Sequence, residues 1–433
     1  MSNEPPSRFK RYSKISGALS GAATRYVGER FFGISIDHDS QAQTFTRVMG
    51  NLKGPIMKIA QFLATVPGAI PEEYAEEFQQ LQSEAPAMGG YFVRRRLQGE
   101  LGADWHEKFL SFDEKTAAAA SLGQVHRAVS PEGDLLACKL QYPDMASVIE
   151  SDIKQLKLGL KLYESTLGAL KTEELFIEIS DRLKEEVDYR LEAKNILYFQ
   201  DIFKDDPSVH IPKVYSELST GRLLTLSWLE GRSLRNLENH SQDFKNRIAK
   251  TLFEAWYKPL YHHGVIHGDP HMGNYTFRDD ASLNLLDFGC VRYFHASFVE
   301  SIIDLYRALE NNSETDLVAA YESWGFTNLS KELVEALTLW AKMLYDPLLE
   351  NRVRPIKQDI SGVEGREIAA RVHAELRRLG GVTPPREFVF LDRAAVGIGA
   401  VFMRLGAEQN WHRLFMELIE GRTLSSEETL ADS

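Results

Sequence analysis

Two short stretches restrict this chain more than any other feature: HGDPHMGN (267–274) and LLDFG (285–289). The first holds Asp269 and, five residues on, Asn274; Asp287 follows Asn274 by thirteen residues. Upstream, Lys139 in LACKLQ lies on an expected strand, fourteen residues after Val125. Mg²⁺ prefers hard oxygen ligands in sites with few carboxylates, completed by substrate phosphates. Asn274 and Asp287 supply such oxygens, Asp269 an acid beside them, and Lys139 a charge for α/β-phosphates. Taken singly, Lys139 would be a surface lysine and an Asp-Phe-Gly a chance match. All three elements in this order and spacing outweigh that reading.

The acid and amide have the spacing of the protein-kinase catalytic loop, H-R-D-x-x-x-x-N. His267 and His271 of the same loop are either catalytic or, as we prefer, loop-shaping through hydrogen bonds. TAAAASLGQVHRA (116–128) stands where a kinase lobe carries glycines that let backbone approach phosphate. Here Ala117, Ala118, Ala119 and Ala120 fill the bend, with Ser121 and Gly123 after them. A left-handed backbone costs alanine about 1–2 kcal/mol. The loop is therefore expected to take another, more helical shape and to grip the γ-phosphate less. The alternative is that the alanines merely begin a helix away from any ligand.

Around these motifs the period of apolar residues changes several times. Helical spacing runs through Phe45, Val48, Leu52, Ile56, Ile59 and Leu63, with a break expected near Pro55. Another helix is expected after Pro71 and one more over GYFVRRRLQGELG (90–102). GQVHRAVS and LLACKLQYP read as two strands turned by Pro131 and Gly133. Residues 145–200 read as helical, with Leu156, Leu160 and Tyr163 on one face. HIPKVYSELSTGRLLTLSWLEG (210–231) reads as a second hairpin, and Gln242 to His263 as a long helix. YTFRDDASLNLLDFG is a strand pair, and everything from Ser297 reads as helical. No internal repeat or low-complexity block stands out.

At 433 residues the chain can bury a large core in more than one lobe. Fifty basic against 62 acidic residues leave a net charge of −12, which disfavours nucleic acid as a partner. Cys138 and Cys290 are too few and too far apart for a disulfide framework or a zinc site, and they suit a reducing compartment. No run of 18 apolar residues is present, so no transmembrane span is expected. The most apolar stretch, FVFLDRAAVGIGAVFMRL, carries Asp392, Arg393 and Arg404 and reads as a buried helix. Arg8, Lys10, Arg11, Lys14, Arg25 and Arg30 make the N-terminus basic, either as a solvated tail or as weak attachment to anionic lipid.

KIAQ, AAAASLGQVHRA, EEVDYRLEAKN, HGDPHMGN and LLDFG together resemble the UbiB family of AarF-domain atypical kinase-like proteins, over about residues 45 to 405. The resemblance implies an α+β, bilobal protein-kinase-like fold: a small antiparallel-sheet N-lobe, a helical C-lobe and an N-terminal helical extension over the active site. Expected domains are a basic terminus (1–40), the extension (41–108), the N-lobe with inserted helices (109–230) and the C-lobe (231–433). The family's K-x-G-Q motif falls on Lys58 to Gln61 and its E-x-D motif on Glu186 and Asp188, which would face Lys58 and Gln61 as a regulatory lid. Glu192 is the preferred ion-pair partner of Lys139, with Glu186 second. Read without the family, these three acids could equally form a solvated helix face. Glu230, closing the second hairpin, is placed among the nucleotide contacts. Ala60 replaces the family glycine and Met272 a proline, and neither removes a charge or a metal ligand.

The implied activity is that of a Mg²⁺-dependent ATPase or small-molecule or lipid kinase, binding ATP or ADP and supporting ubiquinone (isoprenoid-quinone) biosynthesis. Asp269 would orient or deprotonate the nucleophile, Asn274 and Asp287 would hold Mg²⁺, and Lys139 would neutralise phosphate. Implied partners are an isoprenoid-quinone precursor or anionic lipid and proteins of quinone biosynthesis. Implied localisation is cytoplasmic, with peripheral attachment to the inner face of a membrane left open. A protein kinase acting in trans is the first alternative, although no A-P-E segment follows LLDFG. A catalytically silent nucleotide-binding scaffold is the second.

Overall fold

The computed structural model describes residues 89–120, 122–154, 157, 173–356, 371, 372, 375, 378 and 386–421. The basic N-terminus, the helical pattern from Phe45 to Leu63, Lys58 and Gln61 lie outside these residues, as do Ser121 and the face of Leu156, Leu160 and Tyr163.

The chain adopts the bilobal α+β, kinase-like arrangement. The N-lobe is a four-stranded antiparallel sheet in the order β1-β2-β3-β5. Its strands are β1 (Ser111–Ala120), β2 (Gly123–Val129), β3 (Leu135–Gln141) and β5 (Leu223–Ser227). Helix α1 (Gly90–Leu101) lays Val93 and Leu97 on the sheet, where they meet Leu136, Cys138 and Leu140 from β3. These alternate residues point to one face of the strand, as a pleat requires. The β2–β3 turn is made by Gly133, whose φ of 96° suits only a residue without a Cβ. After β3 the described residues are helical from 145 to 154 and again in α2 (Glu173–Glu185) and α3 (Tyr189–Ile202).

The lobes are joined by residues 228–231. The C-lobe is built on α4 (Gln242–His263), capped by Ser241 at its start and by Gly264 in the left-handed region at its end. Two small ladders lie beside it. In one, β4 (Val209–His210), β6 (Arg232–Ser233), β8 (Tyr275–Phe277) and β9 (Leu283–Leu285) have the order β4-β9-β8-β6. In the other, β7 (Val265–His267) pairs with β10 (Val291–Tyr293). Helices α5 (Ala296–Glu310), α6 (Glu314–Ser323), α7 (Lys331–Leu349), α8 (Arg386–Leu405) and α9 (Trp411–Glu420) complete the lobe. The apolar stretch of α8 is a core helix: Phe390, Ala394, Ile398, Val401 and Phe402 are buried in the main cluster. Among the described residues no helix is long and apolar enough to cross a membrane.

Three expectations need correction. The alanines are neither helical nor a loop: Ala117 to Ala120 end strand β1, where Ala118, Ala119 and Ala120 pair with β2 and Ala117 lies at a shift of register. An extended backbone asks nothing of alanine that its Cβ forbids, so the strand can run on to Ala120. The expected second hairpin forms only in part: Val209–His210 runs parallel to β9 instead, while Lys213 to Tyr215 meet Thr225 to Ser227 of β5 across a turn at residues 219–222. The region after Ser297 is not wholly helical, since Arg354–Pro355 (β11) pairs with Glu408–Gln409 (β12). Such two-residue ladders leave no periodic trace in a sequence.

Candidate functional site

Lys139 is central in β3, and its side chain crosses toward α3. Its Nζ donates to both carboxylate oxygens of Glu192, at 2.8 and 2.9 Å, and lies 3.4 Å from Asp287 Oδ2. The glutamate chosen from sequence is thus the one that meets the lysine. Burial works to lower the Lys139 pKa, but Asp287 and Glu192 outweigh it and hold the ammonium charged, above the ordinary lysine range. Burial also pushes the Glu192 carboxyl up to about 6 against the pull of Lys139. Glu192 is 2 % exposed, so the pair is a desolvated one that depends on both partners.

The C-lobe half is assembled by β8 and β9. Tyr275 faces Leu285, and the Leu286 N–H donates to the Asn274 carbonyl at 3.0 Å, which sets Asn274 beside the start of Asp287-Phe288-Gly289. Asn274 Nδ2 donates to the Asp269 carbonyl at 3.0 Å, so its Oδ1 is presented on the other side. Asp287 Oδ1 accepts from the Gly289 N–H at 2.9 Å. His267 joins the two acids: its Nε2 donates to the Asp287 carbonyl, and its Nδ1 accepts from the Asp269 N–H at 3.4 Å. His271 accepts from the Gly273 N–H at 3.0 Å and shapes the 3₁₀ turn Met272–Asn274. Both histidines have the loop-shaping contacts that sequence reading preferred. Met272, in place of proline, buries its thioether in the core beneath that turn.

Asn274 and Asp287 together offer one amide oxygen and one carboxylate, and the Asp287 side chain is 39 % exposed. Among the described residues no group of three His, Cys, Asp or Glu side chains is placed to hold a metal. A hard, partial donor set that leaves positions for phosphate and water fits Mg²⁺.

The other sequence-selected residues fall into two groups. Gly123 opens β2, where a Cβ would run into the Leu140 carbonyl and the Tyr189 hydroxyl, so only glycine fits. Ala118 pairs with Val125, Ala119 with Gln124 and Ala120 with Gly123. Glu230 lies on the connection between lobes with an exposed side chain, and its carbonyl accepts from Asn284 Nδ2 at 2.9 Å. Asp188 is the N-cap of α3, accepting from the Arg190 and Leu191 N–H groups at 3.0 and 3.2 Å. Glu186 is half-buried in the break between α2 and α3, with its Cγ near Gly289.

Several positioning residues escaped sequence reading. Asn195, one helical step from Glu192, donates from Nδ2 to the Phe288 carbonyl at 3.0 Å and accepts from the Tyr293 hydroxyl at 3.0 Å. The i, i+3 spacing from Glu192 was its available signal. Phe390 of α8 packs against Arg182 and Arg292, whose guanidinium carbons are 4.2 and 5.6 Å from the ring centre. The same ring fills the space where Gly268 would carry a Cβ, and Pro270 does so for Gly397. Nothing local in the sequence announces those contacts.

Comparison with known proteins agrees with this geometry. Residues 80–321 match the ABC1 atypical kinase-like domain. The chain is 28% identical to "Atypical kinase COQ8, mitochondrial" of Saccharomyces cerevisiae, over 96% of this chain and 86% of the yeast protein. It is 28% identical to "Atypical kinase COQ8B, mitochondrial" of Rattus norvegicus, over 77% of this chain and 67% of that one. A solved structure of Rv3197 with erythromycin, from Mycobacterium tuberculosis, superposes with a TM-score of 0.60 at 25% identity, covering 92% of this chain and 98% of that chain.

Proposed function

The chain belongs to the ABC1 atypical kinase-like family, and from that premise we propose that it binds Mg²⁺–ATP and hydrolyses it or transfers its γ-phosphoryl group to a small molecule or lipid. The observation that carries this reading is the buried Lys139–Glu192 pair reaching to within 3.4 Å of Asp287. It links the N-lobe cation to the C-lobe acid across the cleft. Lys139 neutralises α/β-phosphate charge, and Glu192 fixes its ammonium. Asp269, at the loop apex, orients or deprotonates the attacking oxygen, of water or of a hydroxyl. Asn274 and Asp287 hold Mg²⁺, which supplies charge neutralisation at the phosphates. Catalysis of this kind is mostly positioning and electrostatics.

Protein phosphorylation in trans is disfavoured by a specific feature. Only six residues separate Gly289 from Ala296, where α5 begins, and three of them pair with β7. That leaves no extended segment after Asp-Phe-Gly to seat a peptide. Work on a quinone precursor is supported by the motif resemblance and by relatives named COQ8.

The test is Mg²⁺-dependent ATP hydrolysis by the full chain, with and without anionic liposomes, beside Asp287→Asn. Hydrolysis that rises with liposomes and falls at least about a hundredfold in the folded variant supports the proposal. Normal hydrolysis by Asp287→Asn overturns the metal assignment. Nucleotide binding without turnover in both conditions favours a silent scaffold.

A further inference from the structure

A small depression on the C-lobe is lined by three cations from three different elements. Arg235 stands in the 3₁₀ turn Leu234–Asn239, Lys245 is the fourth residue of α4, and Arg404 is the last but one of α8. Leu234, Met272 and Leu405 supply apolar lining. Met272 opens the turn Met272–Asn274, so the depression lies against the loop that carries Asp269 and Asn274. Arg235 and Arg404 are exposed and Lys245 is half-buried.

Acids are not scarce in this chain, with 62 against 50 basic residues. Other surface cations of the C-lobe are paired: Arg232 with Asp279, Arg247 with Asp243, Lys250 with Glu254 and Arg413 with Glu417. Among the described residues Arg235, Lys245 and Arg404 form no such pair, and Asp243, two residues before Lys245, turns to Arg247 instead. Lys245 also stands near the positive end of α4, an unfavourable place for a cation. Like charges around one depression repel, and an anion seated among them removes that cost. Three donors on separate elements suit a phosphate, which offers three outer oxygens and up to two charges, better than a carboxylate. Arginine forks in particular match phosphate oxygens.

We infer that Arg235, Lys245 and Arg404 form a subsite for a phosphate group, held against the loop of Asp269 and Asn274. The group is the free ion or is carried on a small organic molecule, and the chemistry of capture is the same. The inference goes beyond the nucleotide reading and does not need it, because that reading takes the nucleotide's own phosphates to Lys139.

The experiment titrates the full chain with inorganic phosphate and with butyl phosphate by calorimetry, at fixed ionic strength, with and without saturating Mg-ADP. Arg235→Gln, Lys245→Gln and Arg404→Gln are compared with Lys250→Gln, which removes an equal charge from the helix that carries Lys245. The expected result is phosphate binding that persists with Mg-ADP present, about tenfold weaker in each of the three variants and unchanged in Lys250→Gln. Tighter binding of butyl phosphate than of phosphate assigns the group to an organic carrier, and the reverse to the free ion; both support the subsite. Binding that vanishes when Mg-ADP is added overturns the inference, since the phosphate would have been in the cleft. No binding to wild type overturns it too, as does an equal loss in Lys250→Gln, which would report net charge alone. A wild-type protein that binds phosphate and not Mg-ADP overturns the nucleotide reading and leaves the subsite standing.

Discussion

On the C-lobe side of the cleft the loop from His267 to Asn274 is fixed by side chains: His267 spans two acids, Asn274 returns to Asp269, and Phe390 backs Gly268. On the N-lobe side, Ala118–Ala120 and Gly123–Val125 are held by their ladder and by Thr116, whose Oγ1 donates to the Ala118 carbonyl, with the Tyr189 hydroxyl against Gly123. The difference separates two tasks. On the proposed reading, oxygens that would hold a metal and a transferring phosphoryl group would lose rate steeply when misplaced by an ångström, which accords with a loop fixed from several directions. On the proposed nucleotide-binding reading, a cover that would admit and release a nucleotide gains from fewer fastenings.

Substitutions can break or sharpen that contrast. The largest effect is expected at Gly268→Ala, whose Cβ would enter the Phe390 ring. We expect about 1–3 kcal/mol of lost stability by urea denaturation together with lower ATP turnover. Combining it with Phe390→Ala should give less than the sum of the two losses. Additive losses would mean that the ring does not back the loop.

A pH effect comes next, on the N-lobe side. His126 is fully buried, stacked on Phe112, with Nδ1 donating to the Asp113 carbonyl at 2.9 Å and Nε2 accepting from Gln124 at 2.8 Å. Burial holds its pKa below the ordinary imidazole value, against the opposing pull of the Asp113 carbonyl. The unfolded chain therefore takes up the proton first, near pH 6.5. Stability from this group is complete above that pH and declines below it, by at most about 1.4 kcal/mol per pH unit. Denaturation midpoints between pH 8 and 5.5 should fall less steeply in His126→Gln, and an unchanged slope would exclude His126 as the source.

The smallest effect is expected from Ala118→Gly. If Ala118 is a strand residue, the added backbone freedom lowers stability by about 0.5–1 kcal/mol. A gain or no change would return the alanines to the loop that their position first suggested.

That strand shows where the sequence was hard to read. Alanine has weak β preference, and four in a row carry no alternation, so nothing marked Ala117 to Ala120 as extended. By contrast Lys139, Asp269, Asn274 and Asp287 were legible because charged and amide residues in fixed order are rarely accidental. Glu192 followed from a motif and meets the lysine as expected. Asn195 lay in the same quoted stretch, yet an asparagine on a helix has many bland explanations. The backing of the loop by Phe390 and Pro270 was out of reach, because it is a packing relation between residues more than a hundred positions apart in the chain.

The contact between Gly268 and Phe390 also bears on the order in which the molecule is made. Synthesis runs from the N-terminus and domains fold as they emerge, so every motif residue named above is available before α8 exists. The loop that carries Asp269 gains its backing only when residues 390–397 have left the ribosome and closed a contact of high sequence separation, a slow class of event. A nascent chain halted before Arg386 would hold the whole set of reactive groups with one wall of their loop missing, so completion of the site is tied to completion of the chain.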